Sequence, residues 1–259
     1  MSEENDLMLV IFDFDWSLVN ENSDLWIFDQ LSPQLRGEVG LLKRNEYCGQ
    51  WTQLMDYLVG KLMSEQNVGL DAVNTCLRHI PVFEETIEAV KLAFSCGAEL
   101  AILSDANTHY ISVILDHLKI GNLFTKIVTN GSIVCDPAIC GLCKDSGNTQ
   151  SRLHIFPYQP TLLPHGCSLC PANLCKGIVL DSWRRDGRFT KIIYIGDGGG
   201  DYCPCTRLTS ADTILCRDGW ALDKALETGS IPIHAEVRKW QSGFSLLQEM
   251  TSILGLRTS

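Results

Sequence analysis

The stretch Leu7-Met8-Leu9-Val10-Ile11-Phe12-Asp13-Phe14-Asp15-Trp16-Ser17 decides the reading of this chain, because an apolar run suited to a buried strand leads straight into two carboxylates spaced i, i+2. Residues two apart on an extended chain point the same way. In an open parallel sheet, ligands bind beyond the carboxyl ends of the strands. Asp13 and Asp15 are therefore placed to share one reacting centre, one carboxylate attacking while the other handles a proton. Taken alone, the pair reads more simply as a polar turn after a strand, so its meaning depends on what accompanies it.

Further apolar, β-rich runs lie at Leu100–Leu103, Lys126–Thr129, Ile192–Ile195 and Thr213–Leu215, and helix-period patterns fill several intervals, at Glu84–Ser95, Thr108–Leu118 and Asn173–Trp183. This alternation predicts an α/β fold, a central parallel sheet flanked by helices. The first interval is too long for a simple crossover. Ser32-Pro33 marks a helix start, and apolar positions keep helical spacing through Trp51, Leu54, Met55, Leu58 and Leu62, then Leu70, Val73 and Leu77. Residues 20–82 thus read as a small helical insertion over the strand end, able to shield a site from water, with 1–19 and 83–259 forming the core. The region Cys135–Pro164 is irregular and Pro/Gly-rich, with a hairpin expected around Arg152–Phe156.

Composition narrows the function. A chain of 259 residues with 45% hydrophobic content supports one substantial core plus an insertion. The polar, acidic start and the absence of any run near the roughly 18 apolar residues of a membrane span lead to the expectation of a soluble cytoplasmic protein. Its net charge of −10 disfavours nucleic acid and anionic membranes as partners, so a phosphate substrate needs a local cation. The 12 cysteines are scattered, which favours reduced thiols over a disulfide framework.

Three further pieces accompany the aspartate pair. Gly196-Asp197-Gly198-Gly199-Gly200-Asp201 follows an apolar strand and combines close backbone approach with hard oxygen ligands suited to Mg²⁺. Its acidity and spacing do not fit a phosphate-cradling glycine loop, and a solvated acidic loop is the plainer alternative. Ser104 ends a strand and opens Ser104-Asp105-Ala106-Asn107 before a helix, where a hydroxyl and free N–H groups can hold phosphate oxygens or merely cap the helix. Lys176 falls near a helix start, where it opposes the macrodipole. A phosphate clamp explains that placement, and an exposed helix lysine is the alternative.

All four pieces occur in order, three of them at strand ends. The chain resembles the haloacid dehalogenase (HAD) superfamily of aspartyl-phosphate hydrolases, whose D-x-D-x-[TS], strand-end Ser/Thr, Lys and G-D-x-x-x-D motifs match Asp13–Ser17, Ser104, Lys176 and Gly196–Asp201. A helical cap inserted after the first motif is what that superfamily implies for residues 20–82. Glu21-Asn22-Ser23-Asp24, Ser104–Asn107, His165–Lys176 and Gly196–Pro204 look more narrowly like the subgroup of phosphoethanolamine/phosphocholine phosphatases, pyridoxal phosphate phosphatases and their plant relatives, some described as pyrophosphatase or thiamine phosphate phosphatase-like. Ser17 in place of the commoner Thr, Trp16 before it and a long Cys135–Gln150 segment depart from that pattern.

The resemblance implies Asp13 as nucleophile, Asp15 as general acid/base, and Ser104 and Lys176 as holders of the phosphoryl oxygens. It further implies Mg²⁺ at Asp13, the Asp15 carbonyl and Asp197, with Asp201 in support. A halide-expelling enzyme needs no general acid, so Asp15 points to phosphate esters of small metabolites. Asp24 and Asp105 are acids beyond those the chemistry requires, which favours a positively charged leaving group. The resemblance ties these acids to the amine end of the substrate, and Asp24, Asp105 and Asn107 form the expected substrate-binding set. Trp16 and Trp26 could add cation–π contacts or serve as core. Cys167-x-x-Cys170, Cys175 and Cys203/Cys205, like Cys140-x-x-Cys143 with Cys135, invite a zinc reading, but two clear paired knuckles are missing, so reduced packing or loop cysteines are expected. His109 and His165 read as structural. Inorganic pyrophosphatase and a non-catalytic phospho-ligand sensor remain the alternatives.

Overall fold

The computed structural model describes residues 7–135, 151–159, 165–185 and 187–256. A seven-stranded sheet with spatial order β4-β3-β2-β1-β5-β6-β7 forms its centre. The strands are β1 (Leu7–Phe12), β2 (Glu99–Asn107), β3 (Phe124–Cys135), β4 (Arg152–Phe156), β5 (Phe189–Gly196), β6 (Thr213–Arg217) and β7 (Glu236–Trp240). All neighbours pair in parallel except β3 and β4, which run antiparallel.

The apolar run of β1 forms the middle strand because both of its faces are covered, and Leu9, Val10, Ile11 and Phe12 are fully buried. Alternate residues serve opposite faces. Val10 and Phe12 join a buried cluster with Ile102, Ile193, Ile195 and Leu215, while Leu9 and Ile11 join Ala101, Leu103, Ile192 and Tyr194 on the other side. Each such side chain contributes about 1.5–3 kcal/mol on burial. A one-residue slip would reverse both faces at once, so this burial fixes where Asp13 emerges.

Between β1 and α5 (Glu84–Ser95) lie α1 (Ser23–Leu31), α2 (Pro33–Asn45), α3 (Trp51–Ser64) and α4 (Leu70–Arg78). The start expected at Ser32-Pro33 is present, with Pro33 opening α2 and the Ser32 hydroxyl accepting from Leu35 N at 3.2 Å. The chain leaves and returns at one place, where Asn20 N donates to the Pro81 carbonyl at 2.7 Å. Ile27, Phe28, Leu54, Leu58 and Leu77 of these helices belong to the same buried cluster as Val10 and Phe12. That face also holds α6 (Thr108–Leu118) and α10 (Gly243–Ile253), whereas α7 (Lys176–Arg185), α8 (Tyr202–Cys205) and α9 (Ala221–Thr228) follow in the second half of the chain.

Several boundaries differ from the sequence expectation. α7 begins at Lys176, not Asn173, and runs to Arg185. β3 extends well beyond Thr129 because its second half pairs with β4, Gly131 opposite Phe156 and Cys135 opposite Arg152. β7 was not foreseen: Glu-Val-Arg-Lys-Trp reads as a charged surface segment, which is how edge strands discourage further pairing. The Cys140/Cys143 pair lies outside the described residues, as does the rest of the long segment after Cys135. Among the described residues, no helix is long and apolar enough to cross a membrane.

Candidate active site

β1 sits where the chain order reverses, between β2 and β5, and the crevice beyond such a point is the expected ligand site. Asp13 N donates to the Ile195 carbonyl at 2.9 Å, so the β1–β5 ladder holds the nucleophile candidate in place. The chain then makes a wide turn over Phe14–Leu18, closed by Val19 N donating to the Phe14 carbonyl at 3.0 Å. Trp16 takes φ 60° within it, a left-handed conformation costly for a bulky residue. Arg217, at the end of β6, holds the turn: Nη1 donates to the Trp16 carbonyl at 2.7 Å and Nη2 to Asn20 Oδ1 at 2.6 Å. Its guanidinium also lies 4.4 Å from the Trp220 ring centroid and 5.0 Å from that of Trp240. Sequence reasoning missed Arg217, although it is a cation at a strand end and open to the same logic that found Asp13.

Lys176 Nζ stands 2.8 Å from Asp13 Oδ1 and 2.7 Å from Asp201 Oδ1. The Tyr194 hydroxyl donates to that same Asp201 oxygen at 2.7 Å, while Asp201 Oδ2 accepts from Asp197 N at 3.2 Å and Gly198 N at 3.0 Å. Asp201 therefore folds back beneath its own loop, and a Cβ at Gly196 would lie 2.7 Å from its carboxyl group, so glycine is required there. Asp197 Oδ1 accepts from the Ser17 hydroxyl at 3.1 Å. The lysine that opposes its helix dipole is thus offset by two buried acids.

A cavity of about 190 Å³ opens over this group, lined by Asp13, Asp15, Trp16, Asn22, Ser104, Asp105, Lys176, Asp197 and Asp201 among others. Ser104 Oγ accepts from Ala106 N at 3.2 Å, and β2 continues to Asn107, which is the residue that caps α6. Asn107 does not line the cavity; its Oδ1 accepts from Tyr110 N at 3.1 Å. Asp24 also stands outside the lining, its Oδ2 accepting from Trp51 Nε1 at 2.7 Å. Trp51 is a second residue the sequence reading missed, because it sits at a helical core spacing. Trp26 lies elsewhere, donating to the Cys76 carbonyl at 3.0 Å and lining a separate groove with Asp71, Thr75 and His79. The ring of Trp16 faces Trp220 at 5.1 Å. His109 Nε2 is 2.7 Å from Asn74 Oδ1, a structural pairing.

The electrostatics follow from crowding acids out of water. Burial, then repulsion from Asp201, raises Asp13 well above the usual carboxylate range, with Lys176 opposing. Burial and the neighbouring Asp24 push Asp15 up to about 8. Burial takes Asp24 to about 7 despite its bond from Trp51, and burial plus Asp201 takes Asp197 to about 7. Asp105 is raised by burial as well. Burial alone would lower Lys176, but the carboxylates of Asp13, Asp201 and Asp105 outweigh it and keep the ammonium charged. Asp13, Asp197 and Asp201 bring ligand oxygens within 4.8 Å of one another against a single lysine, a surplus of hard anionic donors that fits a divalent cation such as Mg²⁺. Because both Asp201 oxygens are already engaged, Asp13 and Asp197 are the better-placed direct donors.

A mostly parallel sheet with the aspartate pair at its switch point and an acidic loop beside it is a HAD-type fold. A HAD family hydrolase from Salmonella enterica has this fold, with a TM-score of 0.59 and 15% identity over 94% of this chain and 70% of that one. The chain belongs to the family described as Putative Phosphatase, whose model matches residues 8–254. It is 35% identical to a thiamine phosphate phosphatase-like protein of Arabidopsis thaliana, over 91% of this chain and 90% of that protein. It is 32% identical to inorganic pyrophosphatase 2 of the same plant, over 97% of this chain and 85% of that protein. The chain is accordingly an enzyme of the phosphatase class.

Proposed function

We propose that this protein is a Mg²⁺-dependent phosphomonoesterase that works through an aspartyl-phosphate on Asp13. The observation that carries this reading is the convergence of Asp13, Asp15, Ser104, Lys176 and Asp197 on one small cavity. Asp13 and Asp197, with the Asp15 carbonyl, would hold Mg²⁺, which when bound offsets the repulsion between carboxylate and phosphate dianion. An Asp13 oxygen attacks phosphorus, and the ester oxygen leaves with a proton from Asp15. Burial and the neighbouring Asp24 raise Asp15, which favours the protonated form that a general acid needs. The Asp15 carboxylate then takes a proton from water, which attacks the phosphoryl group, regenerates the Asp13 carboxylate and releases inorganic phosphate. Lys176 and the Ser104 hydroxyl hold the other phosphoryl oxygens, so positioning and electrostatics supply most of the acceleration.

The substrate we propose is a small phosphorylated metabolite with a cationic leaving group, in the range of phosphoethanolamine, phosphocholine, pyridoxal phosphate or thiamine phosphate. The cavity of about 190 Å³ is smaller than common ligand pockets, and Asp105 in its lining, with Asp24 behind Asp15, favours positive charge at the leaving end. The kinship with a pyrophosphatase supports pyrophosphate as a second reading. Against it, Lys176 is the only cationic side chain among the described lining residues, which leaves a second phosphate without a partner. A cytoplasmic setting suits thiols such as those of Cys175 and Cys203, 3.8 Å apart and not linked.

A panel of these phosphates with and without Mg²⁺, run beside Asp13→Asn, tests the proposal. Turnover that needs Mg²⁺ and is lost in Asp13→Asn is expected; full activity in Asp13→Asn would overturn the mechanism.

A further inference from the structure

Outside the acidic cavity, the described residues hold one other gathering of metal-ligating side chains. Cys167 and Cys170 come from the segment before α7, Cys175 stands directly ahead of Lys176, and Cys203 belongs to α8. Their four sulfurs all lie within 4.8 Å of one another, with Cys203 Sγ 3.6 Å from Cys167 Sγ and 3.8 Å from Cys175 Sγ. Four thiolates at about 2.3 Å from a tetrahedral zinc ion sit about 3.8 Å apart. None of the four is in a disulfide. A disulfide would draw together two sulfurs, not four around a common centre.

The surroundings agree with a charged sulfur cluster. Arg207 brings Nη2 to 3.8 Å from Cys203 Sγ, and its other terminal nitrogen pairs with Asp181. At Gly177, in the first turn of α7, a Cβ would fall 2.7 Å from Cys203 Sγ, so the missing side chain is what lets the helix approach the sulfurs. The segment carrying Cys167 and Cys170 is shaped independently of them by His165, whose Nδ1 accepts from Cys167 N at 3.1 Å and whose Nε2 lies 2.8 Å from the Pro171 carbonyl.

We propose that Cys167, Cys170, Cys175 and Cys203 bind one structural zinc ion. Soft thiolates in a closed set of four select zinc and leave no open position for catalysis. Binding displaces four thiol protons and leaves a site of net charge −2, which Arg207 partly offsets. The sequence pattern conceals the site because only Cys167 and Cys170 form a paired knuckle, while Cys175 stands singly just before α7 and Cys203 singly within α8. Zinc here ties together two segments that also supply the acidic cavity: Lys176 follows one ligand, and Asp201 precedes another by two residues. The ion is thus a positioning device for the Lys176–Asp201 pair. The metal site stands on the sulfurs alone, and only its effect on turnover rests on the phosphatase reading.

The test is elemental analysis of untagged full-length protein made in zinc-replete medium, together with Cys170→Ser, Cys203→Ser and Asp197→Asn. About one zinc per chain is expected in the parent and in Asp197→Asn, with at least a five-fold loss in both cysteine variants. Cobalt loaded in place of zinc should give the parent an intense sulfur-to-metal charge-transfer band that Cys170→Ser weakens. Cys170 is only partly buried, so its variant remains informative if Cys203→Ser does not fold. A parent without zinc or a thiolate–cobalt band overturns the site, and so does zinc that stays in both cysteine variants or leaves with Asp197→Asn. Asp13→Asn that keeps its zinc while losing turnover separates this result from the fate of the phosphatase proposal.

Discussion

The Tyr194 hydroxyl donates to Asp201 Oδ1 at 2.7 Å, the oxygen that Lys176 Nζ also approaches at 2.7 Å. A residue of β5 thereby sets the position of the cavity's cation through an intervening acid. Tyr194→Phe keeps the apolar contacts and removes one buried hydrogen bond, a loss of about 1 kcal/mol. We expect urea unfolding to report that loss, and kcat to fall several-fold with KM little changed. An unaltered kcat would mean that the backbone donors of Asp197 and Gly198 hold Asp201 unaided.

Asp197→Asn should stabilise the metal-free protein at pH 8 while removing activity. The folded-state value of Asp197, about 7, lies above that of an unfolded aspartate near 4. Folding therefore favours its protonated form; that stability is present below about pH 4 and is lost as pH rises through about 7. At pH 8 the ionised side chain is a burden that asparagine lifts. Thermal unfolding should also show Mg²⁺ raising the melting temperature of the parent more than that of the variant.

The same sign applies to Asp24, raised from 3.8 to about 7 by burial. Relative to Asp24→Asn, the parent should lose stability steadily between about pH 4 and pH 7, by at most roughly 4 kcal/mol. Denaturant titrations at pH 5 and pH 8 would measure the change. If Asp24 also senses a cationic leaving group, Asp24→Ala should impair hydrolysis of aminoalcohol phosphates more than of p-nitrophenyl phosphate, and equal losses would remove it from substrate choice.

Arg217→Met should cost about 2–3 kcal/mol, since it removes hydrogen bonds from a charged group to the Trp16 carbonyl and Asn20 Oδ1. It should also slow turnover about ten-fold or more by releasing the turn that presents Asp15. Arg217→Lys should restore little, because an ammonium lacks the planar fork that meets both acceptors and stacks on Trp220. Chemical denaturation with steady-state kinetics would separate the two effects.

What was legible in the sequence follows from how each segment is covered. β1, β2 and β5 are buried on both faces, so their runs read as continuous apolar strings. The ends of α5 and α6 coincide with expectation because Glu84, Glu85 and Asn107 supply ordinary first-turn and capping chemistry. β7 escaped notice because an edge strand of Glu236, Arg238 and Lys239 carries a surface pattern. The cavity lining includes Asp13, Asp15, Ser104, Lys176 and Asp197, each expected from its place at a strand or helix end. The partners that hold them were not: Tyr194 looks like a core residue, Trp51 like a helix anchor, and Arg217 like the end of a strand. Asn107, close to Ser104 in sequence, stands outside the cavity lining, with its Oδ1 capping α6.

The place of β1 in the middle of the sheet has a consequence for biosynthesis. One neighbour, β2, is complete by Asn107, but the other, β5, begins only at Phe189. At about 5–20 residues per second, the ribosome leaves Leu9 and Ile11 on an unpaired edge for on the order of ten seconds or more. Stalled chains ending before Phe189 should therefore remain open to protease around Asp13 and engage chaperones, whereas the released full-length chain should become resistant. Protection appearing in the shorter chains would show that β1 finds a temporary partner.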